Sequence, residues 1–188
     1  MAYRRIFGGQ LLAQALCVAA ATVEEKDVKS LHATFPKSGD LARPVEYQVQ
    51  RQGEGRTFAH RTVVGRQSGD VIVIANVSLH RKEAGLFHQL DSLEAPAPED
   101  ATAMDLSMIP WETRVVGGVD LASREVGSPD YAFWMRTPSF SAGHAAHQAL
   151  LSHATDLSLI GTSLRPHAGL GEADSPVKIQ TAVTSHTI

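Results

Sequence analysis

The sequence predicts an α+β fold in which antiparallel strands wrap around long apolar helices. Three observations lead there. A nearly all-apolar helical stretch lies close to the start, β-type segments joined by short glycine-containing turns follow it, and a second helix and strand repeat that order later in the 188-residue chain.

Residues 1–9 are polar and end in Gly8-Gly9, a pair suited to a turn feeding a helix. Over residues 10–21 the side chains Leu11, Leu12, Ala15, Leu16 and Ala19 recur at helical spacing, and Ala and Leu favour helix intrinsically. Only Gln10 and Gln14 interrupt the apolar surface, so this helix needs a wrapping around it. Residues 30–35, 45–51, 57–66 and 71–80 supply four β-type runs. Short Gly-containing loops join the last three, which should therefore be antiparallel neighbours. Val45, Tyr47 and Val49 alternate with Glu46, Gln48 and Gln50, the pattern of a sheet with one wet face.

Residues 1–90 are thus expected to form a first unit, 91–130 a linker around Ala95-Pro96-Ala97-Pro98-Glu99-Asp100, and 131–188 a second, incomplete unit. In that second unit residues 131–136 read as a strand and residues 145–164 as a helix with a stripe of Leu150, Ala154, Leu157, Gly161 and Leu164. Arg165-Pro166 should stop this helix. A glycine-containing loop over 169–176 leads to a last β run over 177–188. Both post-helical runs begin Val-Lys and carry a histidine, at Val28-Lys29 with His32 and at Val177-Lys178 with His186, which points to a duplicated unit.

Composition narrows the functional classes. The chain is 43% hydrophobic and 20% charged, and its net charge of −3 leaves no basic surplus for a phosphate backbone, so no nucleic-acid partner is expected. The longest apolar stretch, residues 11–23, is broken by Gln14 and is shorter than the roughly 20 residues of a membrane span. No basic and apolar leader is visible at the start, the chain does not end in a Ser-Lys-Leu signal, and the single cysteine Cys17 has no internal partner; a reducing cytoplasmic setting is expected.

No Gly-x-Ser-x-Gly elbow, phosphate-binding glycine loop or dinucleotide fingerprint occurs. Cys17, on the apolar helix, is expected to be a small core residue rather than a nucleophile. His144, His147 and His153 cluster without a carboxylate or cysteine to complete a metal site, and capping or surface roles are expected of them. His32 and His186 lie in β runs and read as structural. Asp156 stands apart. It falls inside the second helical stretch, where aspartate is a poor residue, among Leu150, Leu151, Leu157, Leu159 and Ile160, and a partly buried carboxylate is a candidate general base.

Three spaced segments, Arg5-Ile6-Phe7-Gly8-Gly9-Gln10-Leu11-Leu12-Ala13-Gln14-Ala15-Leu16, Ser30-Leu31-His32-Ala33-Thr34-Phe35-Pro36-Lys37-Ser38-Gly39-Asp40 and Pro44-Val45-Glu46-Tyr47-Gln48-Val49, resemble the acyl-CoA thioesterase II family, as does Thr155-Asp156-Leu157-Ser158-Leu159 with Leu164-Arg165-Pro166-His167. The resemblance implies a double hot-dog fold, here lacking the first strand of its first unit and the end of its second. It also implies hydrolysis of fatty acyl-CoA to free fatty acid and coenzyme A, without a covalent intermediate and without a cofactor. In that family a water is held by an aspartate, by a Thr or Ser on the following strand, and by a Gln near the end of the chain. Asp156 matches the aspartate. Val183 stands where the hydroxyl is expected, leaving Thr184 and Thr181 as the nearby hydroxyls, and the Gln has no counterpart before Ile188. Acyl-CoA is the implied partner, and exposed strand edges make a homo-oligomer the expected assembly. A non-catalytic acyl-CoA-binding or subunit-pairing module is a second reading. An enoyl-CoA hydratase is a third, although its expected Asp-x-Asn-Pro-x-His segment does not occur.

Overall fold

The computed structural model describes residues 5–90, 94–106, 109–175 and 177–188. Residues 1–4 of the expected lead-in, 91–93 and 107–108 of the expected linker, and Pro176 at the end of the expected loop lie outside the described residues. The chain divides into two compact units, the first made of Met1–Ala84, Ala142–Leu157 and Val183–Ile188, the second of Gly85–Ser141 and Ser158–Ala182.

In the first unit helix α1 (Gly8–Ala20) is followed by strands β1 (Asp27–Thr34), β2 (Glu46–Glu54), β3 (Phe58–Gln67) and β4 (Asp70–His80). All of them fall within a few residues of the sequence expectation. Helix α2 (His144–Ala154) and the short strand β8 (Ser185–Thr187) come from the far end of the chain. The sheet has the order β2-β3-β4-β1-β8, and every neighbouring pair is antiparallel. Period-two alternation turns Leu31 and Ala33 of β1, Val63 of β3, and Val73, Ala75, Val77 and Leu79 of β4 inward. They meet Leu11, Leu12, Ala15, Leu16 and Ala19 of α1 and Ala149 of α2. Each fully buried Leu or Val is worth roughly 1.5–3 kcal/mol, so this helix-on-sheet contact carries the unit.

Two polar contacts fix how the helices lie. The Tyr47 hydroxyl donates to Gln14 Oε1 at 2.7 Å, which accounts for the half-buried one of the two α1 glutamines, and burial pushes the Tyr47 phenol well up. Gln148 of α2 spans the backbone of Val28, accepting from its N–H at 3.3 Å and donating to its carbonyl at 2.7 Å, beside the register shift between Val28 and Ser30. Cys17 is exposed rather than buried, because it sits on the face of α1 turned from the core, and desolvation pushes its thiol up, opposite to the need of a nucleophile.

The second unit holds strands β5 (Thr102–Met104), β6 (Glu112–Val115) and β7 (Phe133–Arg136) in one antiparallel sheet of that order, with helix α3 (Leu159–Leu164). The 91–130 stretch expected as linker therefore contains two strands, too short for their periodicity to show in the sequence. A buried Asp174 organises the loop near α3. It accepts two bonds from Arg124 at 2.9 Å, one from the Gly171 N–H at 2.9 Å, and pairs with Lys178 at 2.9 Å, and these cations hold its carboxyl far below the usual range.

Two expectations are corrected. The single helix over 145–164 is broken at 155–158, where the Thr155 hydroxyl turns back to the Ser152 carbonyl at 2.8 Å and the Leu157 N–H closes a tight turn on Ala154. Asp156 therefore lies in a turn between α2 and α3, not within a helix. The β run over 177–188 shrinks to Ser185–Thr187, since the Lys178 and Ile179 amides bond to the Asp174 carbonyl instead of to a strand.

Candidate active site

The site is built where α1 begins. Phe7 precedes the helix and offers no side-chain cap; its carbonyl takes the Gln10 N–H at 3.1 Å, while the Gly8 and Gly9 N–H groups of the first turn have no acceptor within the helix. One of them, Gly9 N–H, donates to Asp156 Oδ2 at 2.8 Å across 147 positions of sequence. The turn after α2 thus caps α1 with a carboxylate, on the end where the helix dipole favours negative charge.

Glycines 8 and 9 permit this approach. A Cβ on Gly8 would stand 2.6 Å from Asp156 Oδ2, and one on Gly9 would stand 2.4 Å from the His153 carbonyl oxygen and 2.5 Å from the Phe7 ring. Neither has a positive φ, so space rather than conformational freedom demands glycine here. Gly9→Ala should therefore push α1 away from the 153–156 turn, lower stability by about 1–3 kcal/mol and depress activity with it. An unchanged urea midpoint for Gly9→Ala would contradict this.

Asp156 is under strong burial. Its side chain is only 4% exposed, and desolvation raises its carboxyl above the ordinary value, against the smaller downward pulls of the Gly9 N–H and of His186. His186 Nδ1 lies 3.4 Å from Asp156 Oδ1, close enough for an ion pair but not aligned as a hydrogen bond. On the far side of the ring, His186 Nε2 lies 3.0 Å from the Thr155 hydroxyl. The Phe7 ring packs edge-on against His153, with centroids 5.0 Å apart, and burial holds the His153 imidazole below its ordinary pKa.

Comparison with known proteins agrees with the segments picked out in the sequence. Residues 1–80 match the family described as acyl-CoA thioesterase N-terminal domain. Acyl-coenzyme A thioesterase 8 of Mus musculus is 29% identical over 192 residues, covering 87% of this chain and 60% of that protein. Among solved structures, acyl-CoA thioesterase II TesB2 from Mycobacterium marinum matches with a TM-score of 0.80 and 28% identity, covering 98% of this chain and 70% of that one. Over most of its length the chain is similar to acyl-CoA thioesterases, and its first 80 residues match their N-terminal domain. A protein from Alicyclobacillus acidocaldarius described as having a hot dog fold matches with a TM-score of 0.74 at 18% identity, covering 96% of this chain and 66% of that one, which bears on fold alone. Antiparallel strands around a long helix make this an α+β hot-dog fold. The chain spans 60% of the length of the mouse relative.

The expected site residues are distributed unevenly. Asp156 is at the helix terminus as described. Thr184 is exposed, lies outside β8, and its carbonyl accepts from the Phe35 N–H at 3.0 Å. Thr181 belongs to the second unit, where its hydroxyl pairs with Ser175. The hydroxyl in the chain of contacts ending on Asp156 is that of Thr155, and the histidine is His186. Sequence reading passed over both. Thr155 adjoins Asp156 in the quoted motif, and that adjacency was the available signal, whereas His186 was read as a structural strand residue.

Proposed function

We propose that this protein hydrolyses fatty acyl-CoA thioesters of medium or long chain length to free fatty acid and coenzyme A, with Asp156 as the general base. The observation that carries the reading is the buried Asp156 carboxylate held against the first turn of α1. A base whose pKa lies above the usual carboxylate range takes a proton from water more readily. Each carboxylate oxygen has a second lone pair, so accepting the Gly9 N–H leaves capacity for a water. That water attacks the thioester carbonyl carbon as Asp156 takes its proton. The carbonyl electrons move to oxygen, where the Gly8 N–H at the start of α1 acts as a donor to the developing oxyanion. Collapse expels the coenzyme A thiolate and forms the carboxylic acid, and the proton held by Asp156 passes to the products. The protein supplies the base and the donors, and water supplies the nucleophile.

The test is thiol release from acyl-CoA at a series of chain lengths. Tight acyl-CoA binding without turnover would replace this reading with that of a binding module. The rate should also fall as pH drops through the Asp156 pKa, because only the carboxylate accepts a proton, and this acid limb should lie above the value near 4 of an ordinary aspartate.

We place this activity in the cytoplasm; no helix among the described residues is long and apolar enough to cross a membrane. Strand β2 forms one edge of the five-stranded sheet and presents unpaired backbone groups along Glu46–Glu54. Self-association is expected, and a strictly monomeric mass by light scattering would count against it.

A further inference from the structure

We infer that His186 is a positioning residue for Asp156, and that Thr155 sets which imidazole nitrogen carries the proton facing it; this rests on Asp156 being the base. Asp156 Oδ1 and His186 Nδ1 are both buried, and among the described residues neither has an aligned hydrogen-bond partner. They face each other at 3.4 Å. A buried polar atom without a partner is costly, and a proton between these two satisfies both at once.

The Thr155 hydroxyl decides where that proton comes from. Its one proton has two acceptors in reach, the Ser152 carbonyl at 2.8 Å and His186 Nε2 at 3.0 Å. When the hydroxyl donates to Nε2, the neutral imidazole carries its own proton on Nδ1, aimed at Asp156. When the hydroxyl donates to Ser152, Nε2 must donate to the hydroxyl oxygen. A neutral ring would then set a bare Nδ1 against Oδ1, two acceptors in contact away from water, so the first arrangement is the one that satisfies both atoms. That arrangement places an N–H on Asp156 Oδ1.

The N–H on Oδ1 and the Gly9 N–H on Oδ2 hold the carboxylate from both sides, fixing its plane relative to α1. They also offset part of the desolvation that works against its ionised form. His186 is set in place by β8, where it pairs with Ala33 of β1. Its neighbours His32 and Thr187 pair with each other at 2.7 Å, so they do not compete for it. Among the described residues, the charged or titratable group placed on the ring is Asp156, with Thr155 as the neutral partner.

The experiment follows the Asp156 carboxyl carbon by 13C NMR titration, together with kcat and KM for acyl-CoA, in wild type, His186→Leu, Thr155→Val and Thr155→Ser. Thermal unfolding checks that each variant is folded. The expected result is an upward shift of the Asp156 midpoint in His186→Leu and Thr155→Val, and recovery in Thr155→Ser. In the two impaired variants kcat should fall about 10- to 100-fold with KM little changed, the rate equivalent of one hydrogen bond to a charged group. An unmoved midpoint in folded variants overturns the inference. So does a moved midpoint with kcat intact. If Asp156→Asn itself turns over at the wild-type rate, the base assignment fails and the positioning role with it, and a moved midpoint then traces the failure to the assignment and not to the contact.

Discussion

Asp156→Asn is expected to slow thioester hydrolysis by about 10²- to 10⁴-fold, the usual contribution of a general base, while the protein stays folded. Asparagine keeps the size of the side chain and keeps a carbonyl oxygen able to accept the Gly9 N–H, so the cap on α1 survives. What disappears is the basic lone pair. The same substitution should not cost stability at neutral pH. Because the folded-state pKa of Asp156 is raised above its unfolded value, the native state binds more protons than the unfolded chain between those two values. Stability therefore falls as pH rises through that window, and above it the charged Asp156 is a net burden on the fold. Asn carries no charge and removes the burden. The measurements are thiol release and urea denaturation at neutral pH and near pH 5. A variant that hydrolyses at the wild-type rate removes Asp156 from the mechanism, and one that is folded only weakly at neutral pH contradicts the burial argument. Lower activity with equal or greater stability is the pattern of a group retained for function.

The helix α1 and strands β1 to β4 are readable from sequence because each repeats a period along its length: Leu11, Leu12, Ala15, Leu16 and Ala19 on one helix face, Val45, Tyr47 and Val49 on alternate positions of one strand. Periodicity reports which face is buried, and it fades in elements only three or four residues long such as β5, β6 and β8. It also fails where a polar side chain outbids the backbone. The 145–164 stretch has a helical stripe throughout, yet Thr155 and Asp156 both bond outside the helical pattern and the helix ends at Ala154. The site was legible in part for the same reason. Asp156 could be found because a carboxylate among leucines is anomalous by local composition. Its partners could not, since Gly9 is 147 residues away and His186 arrives through the pairing of β8 with β1. Gly8-Gly9 illustrates the limit: local chemistry reads a turn, while the pair serves to let Asp156 and the His153 carbonyl come close.

Arg61→Leu should produce the largest loss of stability, on the order of 3–5 kcal/mol. Arg61 occupies an inward-facing position of β3, in the row of Ala59 and Val63, and its side chain is 0% exposed. The charge is tolerated because its donors are in use. Nε donates to the Thr22 hydroxyl at 2.6 Å, one terminal nitrogen donates to the Gly53 and His60 carbonyls at 3.1 Å each, and the other donates to Glu54 at 2.6 Å and reaches the Thr22 carbonyl at 3.5 Å. Thr22 lies just beyond α1, where helix carbonyls concentrate negative charge, and Gly53 sits beside the β2 register shift. Replacing a buried ion pair by apolar groups is often harmless, but only when no polar atom is left behind. Here Glu54 can return to water, whereas the Gly53, His60 and Thr22 carbonyls lose their donor. Arg61→Lys should recover little of the loss, since an ammonium cannot reproduce the planar fork, and Glu54→Gln should matter far less than either. Urea denaturation of the three variants checks the ranking, and an unchanged midpoint for Arg61→Leu would sink it. Activity should follow stability in this series. Arg61 anchors the end of α1 opposite to Gly9, so a helix loosened there tilts its first turn away from Asp156. Rate and stability therefore fall together at Arg61 and part company at Asp156, and that contrast separates the residue that holds the site in place from the one proposed to do its chemistry.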